Sequence, residues 1–191
     1  MAPVPAWNNQ GLIPPIDEGN PVSPDRSPYL VSLTDVVHRF ATSLERITIL
    51  DGLLRYRAAL HATNLTTGFQ WLDGSFLEHV ELLEERPPHD IDVVTFYTLP
   101  LNSTQQTLLQ ANPVLFQHHA VKDAYQVDGY LVSLQAAPHR LVERSAYWYS
   151  MWSHRRSAAW KGYLQVDLDP ADDPAAAAVL LGMRLPLEDS L

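Results

Sequence analysis

Apolar residues recur at helical spacing early in the chain and at strand spacing further on. Ser32 or Thr34 can cap a helix running to about Phe40, and a second helix is predicted from about Ser43 to His61. In the second, Leu44, Ile47, Leu50, Leu54 and Leu60 keep helical spacing, which leaves Arg46, Arg55 and Arg57 for the other faces. Phe69 to Asp73, Ile91 to Tyr97 and Gln126 to Leu134 read as strands, rich in β-branched and aromatic residues. Between the first two, Leu77, Val80 and Leu83 support a short helix over Phe76–Glu85, stopped by Pro87-Pro88. Ser103 or Thr104 caps a helix to about Gln110, and Pro113 opens an irregular helical segment to about Asp123. Arg140 to Trp152 is predicted as a helix burying Leu141, Ala146 and Trp148, and Trp160 to Leu168 as a strand. Asp173-Pro174 opens a last helix that Gly182 can end. Residues 1–30, rich in Pro, Gly, Asn and Ser, read as an extended, partly ordered arm. The whole, residues 1–191, reads as one α/β domain of mixed α+β character, a small mixed sheet flanked by helices.

Candidate chemistry lies at the strand ends. Trp71-Leu72-Asp73 runs into Gly74-Ser75, and fourteen residues separate Ser75 from Asp90-Ile91-Asp92. Strand side chains alternate, so Asp90 and Asp92 share a face while Ile91 and Val93 point to the core. Two like charges at that spacing repel, and a divalent cation turns the repulsion into a binding site. Asp128 is a third acid in an apolar and aromatic run; Asp128-Gly129 also suits a hairpin tip, but strand-like residues on both sides favour a strand. A helix starting after Gly74-Ser75 would aim its amides at a phosphate. Residues 73–77 do not form the Gly-x-Ser-x-Gly elbow of a serine hydrolase.

This order of Gly-Ser, spacer, Asp-x-Asp and a later lone Asp resembles the polymerase-β-like nucleotidyltransferase superfamily, in an uncharacterised bacterial branch. The resemblance covers roughly Phe69 to Leu134, with Arg26-Ser27-Pro28-Tyr29, Tyr147-Trp148 and Trp160-Lys161-Gly162 as suggestive flanks. It implies that fold and a transfer of a nucleotidyl group from a nucleoside triphosphate to a hydroxyl. Gly74 and Ser75 would hold phosphates, and Asp90, Asp92 and Asp128 would hold two Mg²⁺ or Mn²⁺ ions. The acceptor (protein, small molecule, RNA end or nucleotide) stays open, as does a partner protein that completes its site. A toxin–antitoxin or antiviral setting follows by analogy alone. The spacer is long and acidic, with Glu78, Glu81, Glu84 and Glu85.

Composition narrows the partners. A net charge of −9 disfavours long duplex nucleic acid. Against it stands a basic and aromatic stretch in which Arg155, Arg156 and Lys161 are candidates for the triphosphate, equally readable as a solvated loop. Trp148 and Trp152, four apart, read as core. His118-His119 diverge on a helix and have no carboxylate at matching spacing, so they read as non-ligands. The absence of cysteine excludes disulfides and thiolate sites, and no apolar run approaches the ~20 residues of a membrane span. No signal peptide is visible, so a cytoplasmic location is expected. Two other readings use the same residues: a catalytically silent nucleotide- or partner-binding module, and a metal-dependent phosphohydrolase.

Overall fold

In a computed structural model, which describes residues 3–17 and 19–188, the chain forms a five-stranded mixed sheet with seven α-helices among the described residues. The strands are β1 (Tyr29–Leu30), β2 (Gly68–Asp73), β3 (Ile91–Tyr97), β4 (Val127–Ser133) and β5 (Leu164–Asp167), in the spatial order β1-β5-β2-β3-β4. β2 runs antiparallel to both β5 and β3, while β3–β4 and β1–β5 are parallel. The parallel β3–β4 pair needs a long crossover, supplied by α4 (Gln105–Ala111), a 3-10 turn and α5 (His118–Tyr125). Asp128 therefore lies in a parallel strand and not at a hairpin tip.

Side-chain caps fix three helix starts close to where the sequence suggests them. Ser32 accepts from the Asp35 amide to open α1 (Leu33–Phe40), and Ser43 accepts from the Arg46 amide to open α2 (Leu44–His61). Thr104 and Thr107 form a reciprocal box at the start of α4. The spacer after β2 splits into a 3-10 turn at Ser75–Leu77 and a short α3 (Val80–Glu84), where one helix was predicted. The final strand is also shorter than predicted, since residues 160–163 lie outside β5. α7 (Asp173–Glu188) runs past Gly182, which is exposed and does not end the helix as predicted.

Of the three arginines assigned to the other faces of α2, Arg55 is exposed as expected, but Arg46 and Arg57 are buried. Arg46 donates to the carbonyls of Phe76 and Glu78 and makes a two-pronged contact with Glu81. Arg57 reaches Asp173, the Gln70 side chain and the carbonyls of Asp167 and Asp169. A buried guanidinium is tolerable only when its donors are satisfied in this way, and the planar fork suits two-pronged pairing. The N-terminal arm is likewise packed on the domain. Leu12 and Ile13 are buried, the Trp7 indole donates to the Leu77 carbonyl at 2.7 Å, and the Gly162 amide donates to the Ile13 carbonyl.

One sheet face packs against α2, where Arg57 meets Gln70 and Gly129 lies against the Tyr56 ring. The opposite face carries α6 (Pro138–Trp152), which buries only Trp148 and Trp152. These rings pack on Tyr130 and Tyr163, confirming both tryptophans as core. Leu141 is half-buried and Ala146 exposed, contrary to their predicted burial, because α6 rests on its two tryptophan rings. No helix among the described residues is long and apolar enough to cross a membrane.

Candidate active site

Strand register brings the acids together. Asp73 on β2 is the direct partner of Asp92 on β3, and Asp92 is the direct partner of Asp128 on β4. Residues directly opposite one another in a sheet share a face. Three carboxylates therefore stand side by side across three neighbouring strands, on the α6 face of the sheet. Asp90, just before β3, joins them, since the Lys122 ammonium lies 2.5 Å from its carboxylate and 3.6 Å from that of Asp128.

The Gly74-Ser75 turn lies against this row. Gly74 has φ +89°, and a side chain there would come within 2.4 Å of Asp92 Oδ2. Glycine is thus required twice, for its backbone conformation and for the approach of the acid. Ser75 opens the 3-10 turn beside it. Arg46 grips the segment just beyond through the carbonyls of Phe76 and Glu78, so the turn is held from within the core.

The predicted basic residues take different places. Lys161 is buried, 2.8 Å from Asp73 and 3.1 Å from Glu78. Burial opposes its charge, but Asp73 and Glu78 outweigh burial and raise its pKa. Burial in turn pushes the Asp73 carboxyl up, against the pull of Lys161. Arg155 pairs with Glu78 at 2.9 Å and with Glu84. Arg156 is exposed. Lys161 thus ties the acidic spacer to the sheet, and Glu78, Glu81 and Glu84 of that spacer have cationic partners in Lys161, Arg46 and Arg155.

Asp92 is different. Burial, then Asp73, Asp128 and Asp90, push its carboxyl up to about 7. It sits at the centre of the row, amid like charges and without an ion pair of its own among the described residues. A hard, oxygen-only donor set around an uncompensated carboxylate fits a divalent cation such as Mg²⁺ or Mn²⁺. Among the described residues, however, no three His, Asp or Glu side chains stand ready as a metal cage. Lys122 draws Asp90 and Asp128 to itself, and the bond to Asp90 raises its own pKa.

The chain belongs to the family of unknown function DUF6932. The family model matches residues 5–167, from the N-terminal arm to the last residue of β5. That segment contains the whole carboxylate row, the Gly74-Ser75 turn, Lys122 and Lys161. No curated protein and no solved structure matches the chain.

Three residues around the site escaped the reading of the sequence. Asp73 reads in the sequence only as the end of a strand, although it immediately precedes Gly74. Lys122 was hidden within the irregular crossover. His118 lies 2.9 Å from Asp128 through its Nδ1, so it does have a nearby carboxylate, although the two atoms lack hydrogen-bond geometry. The available signal was the four-residue spacing of His118 and Lys122, which puts both on one side of α5. Beyond the acids, on the same sheet face, a largely apolar groove of about 490 Å³ is lined by Trp71, Pro28, Leu141, Ala146 and Tyr149 among others.

Proposed function

We propose that this chain is a metal-dependent nucleotidyltransferase of the polymerase-β-like fold, moving a nucleoside monophosphate from a nucleoside triphosphate to a hydroxyl acceptor. The observation that carries the reading is the register row Asp73–Asp92–Asp128, with Gly74 pressed against Asp92. It sets Asp92 and Asp128, two of the three acids that the resemblance assigns to metal, beside each other, with Gly74, assigned to phosphate, against Asp92. Asp90 and Asp92 would hold both cations, and Asp128 the one nearer the acceptor. When bound, the cations supply charge neutralisation on the attacking and leaving oxygens. The chain's own groups do the rest. The Gly74 amide and Ser75 hydroxyl orient the β- and γ-phosphates, and Asp128 accepts the proton of the attacking hydroxyl. Arg156, exposed and next to Arg155 in the chain, is the candidate to meet the triphosphate from solvent. Lys161 and Arg155 support the reaction by holding the turn in place. The groove beside Trp71 offers an apolar surface for the organic part of a substrate.

One observation favours a second reading, a catalytically silent nucleotide- or partner-binding module. Lys122 already neutralises Asp90 and Asp128, as a structural counter-ion would. Turnover separates the two. Purified protein is incubated with each labelled ribo- and deoxyribonucleoside triphosphate and Mg²⁺ or Mn²⁺, and products are resolved by mass. Pyrophosphate and a nucleotidyl adduct, both lost in Asp90→Ala/Asp92→Ala, establish the transferase. Nucleotide binding without turnover in any combination favours the silent module, and phosphate release without an adduct favours a phosphohydrolase.

A further inference from the structure

The chain contains only two lysines, Lys122 and Lys161. Both end on the carboxylate row, at opposite ends of it. Lys161 approaches from the β5 side and is nearly inaccessible, with 6% of its side chain exposed. Lys122 approaches from α5 with 44% of its side chain exposed, and it spans Asp90 and Asp128. These are two of the three acids assigned above to the cations. Asp92, the third, receives neither ammonium.

From this geometry we infer that Lys122 is an internal stand-in for a divalent cation: its ammonium occupies the gap between Asp90 and Asp128 and swings out to solvent when a metal ion takes those carboxylates. The inference rests on the metal reading above. Three observations support it. The ammonium lies 2.5 Å from Asp90, just before β3, and 3.6 Å from Asp128 on β4, so it bridges them as a cation would. Its exposed stem gives it somewhere to go, since a flexible lysine can leave an ion pair without unfolding its helix. Its removal leaves α5 anchored by Val121, which is buried against Gly129. The device keeps two like charges compatible while no metal is bound and sets a threshold below which the site stays closed.

The two-lysine composition makes the test direct. Protein labelled with ¹⁵N-lysine should give two ammonium signals in a ¹H–¹⁵N spectrum, and Lys122→Arg assigns them by deleting one. Mg²⁺ should move the Lys122 signal to the position of a solvated ammonium and leave that of Lys161 in place. In parallel, Lys122→Gln should bind Mn²⁺ about tenfold more tightly than wild type by electron paramagnetic resonance. Arg55→Gln removes an equal charge beside the same helix, where Arg55 donates to the Ala124 carbonyl, and should stay within about twofold of wild type. Mn²⁺ binding that Asp92→Asn abolishes, with an unmoved Lys122 signal, would overturn the role of Lys122 and leave the metal site intact. Equal tightening by Arg55→Gln would overturn it as well, reducing the effect to general charge. Failure of wild type and Lys122→Gln alike to bind Mn²⁺ would overturn the metal reading itself, and this proposal with it.

Discussion

The two lysine contacts at the carboxylate row share their chemistry and differ in surroundings. Lys161 meets Asp73 and Glu78 in the interior, with both acids almost wholly shielded from water. Lys122 meets Asp90 and Asp128 at a surface that water still reaches. In the first case desolvation is the dominant cost, and removing one partner would strand the others. In the second, water can replace either partner, so the contact is exchangeable. One end of the row is thus fixed and the other adjustable, with Asp92 between them as the carboxylate that neither lysine neutralises.

The largest effect that would break this contrast is at the fixed end. Lys161→Met should cost about 3–5 kcal/mol of stability, measured by urea unfolding, because Asp73 and Glu78 lose their shared cation. Next, Gly74→Ala should cost about 2 kcal/mol and abolish turnover, since φ +89° and the 2.4 Å approach to Asp92 leave no room for a methyl group. At the centre, Asp92→Asn should raise the stability of the metal-free protein at pH 8 by roughly 1–2 kcal/mol while removing activity. The pH dependence follows from the same residue. Its folded-state pKa of about 7 lies above the unfolded carboxylate value. The folded state therefore holds the extra proton between about pH 4 and 7, and stability falls as pH rises through that window. Thermal melts without metal should show this decline in wild type and a flatter profile in Asp92→Asn. The smallest effect belongs to the adjustable end, where Lys122→Gln should change stability by less than about 1 kcal/mol. A loss there as large as that of Lys161→Met would erase the distinction between the two ends.

Local patterning made much of this legible. The helix starts at Ser32 or Thr34, about Ser43, and Ser103 or Thr104, and the strand Ile91–Tyr97, follow from residue type and spacing, and the structure caps the three helices with Ser32, Ser43 and Thr104. So does the shared face of Asp90 and Asp92, because strand alternation is a local rule. Features set by distant partners were not legible. Arg46 and Arg57 look like solvated positions of a helix until Glu81, 35 residues on, and Asp173, 116 residues on, supply their counter-charges. Asp73 joins the row only through strand register, which no short window contains. β1, two residues long, carries too little pattern to register as a strand. Lys161 looked like a surface cation for a triphosphate, since nothing near it in sequence indicates that Asp73 and Glu78 enclose it.

The central claim is the proposal that Asp90, Asp92 and Asp128 together bind a divalent cation. Mn²⁺ titration followed by electron paramagnetic resonance, on wild type and Asp92→Asn at pH 6 and pH 8, tests it most directly. The account predicts saturable binding in wild type that strengthens from pH 6 to pH 8, as Asp92 gives up its proton, and no such binding in Asp92→Asn. Equal binding by the two proteins, or none by wild type at either pH, would contradict it.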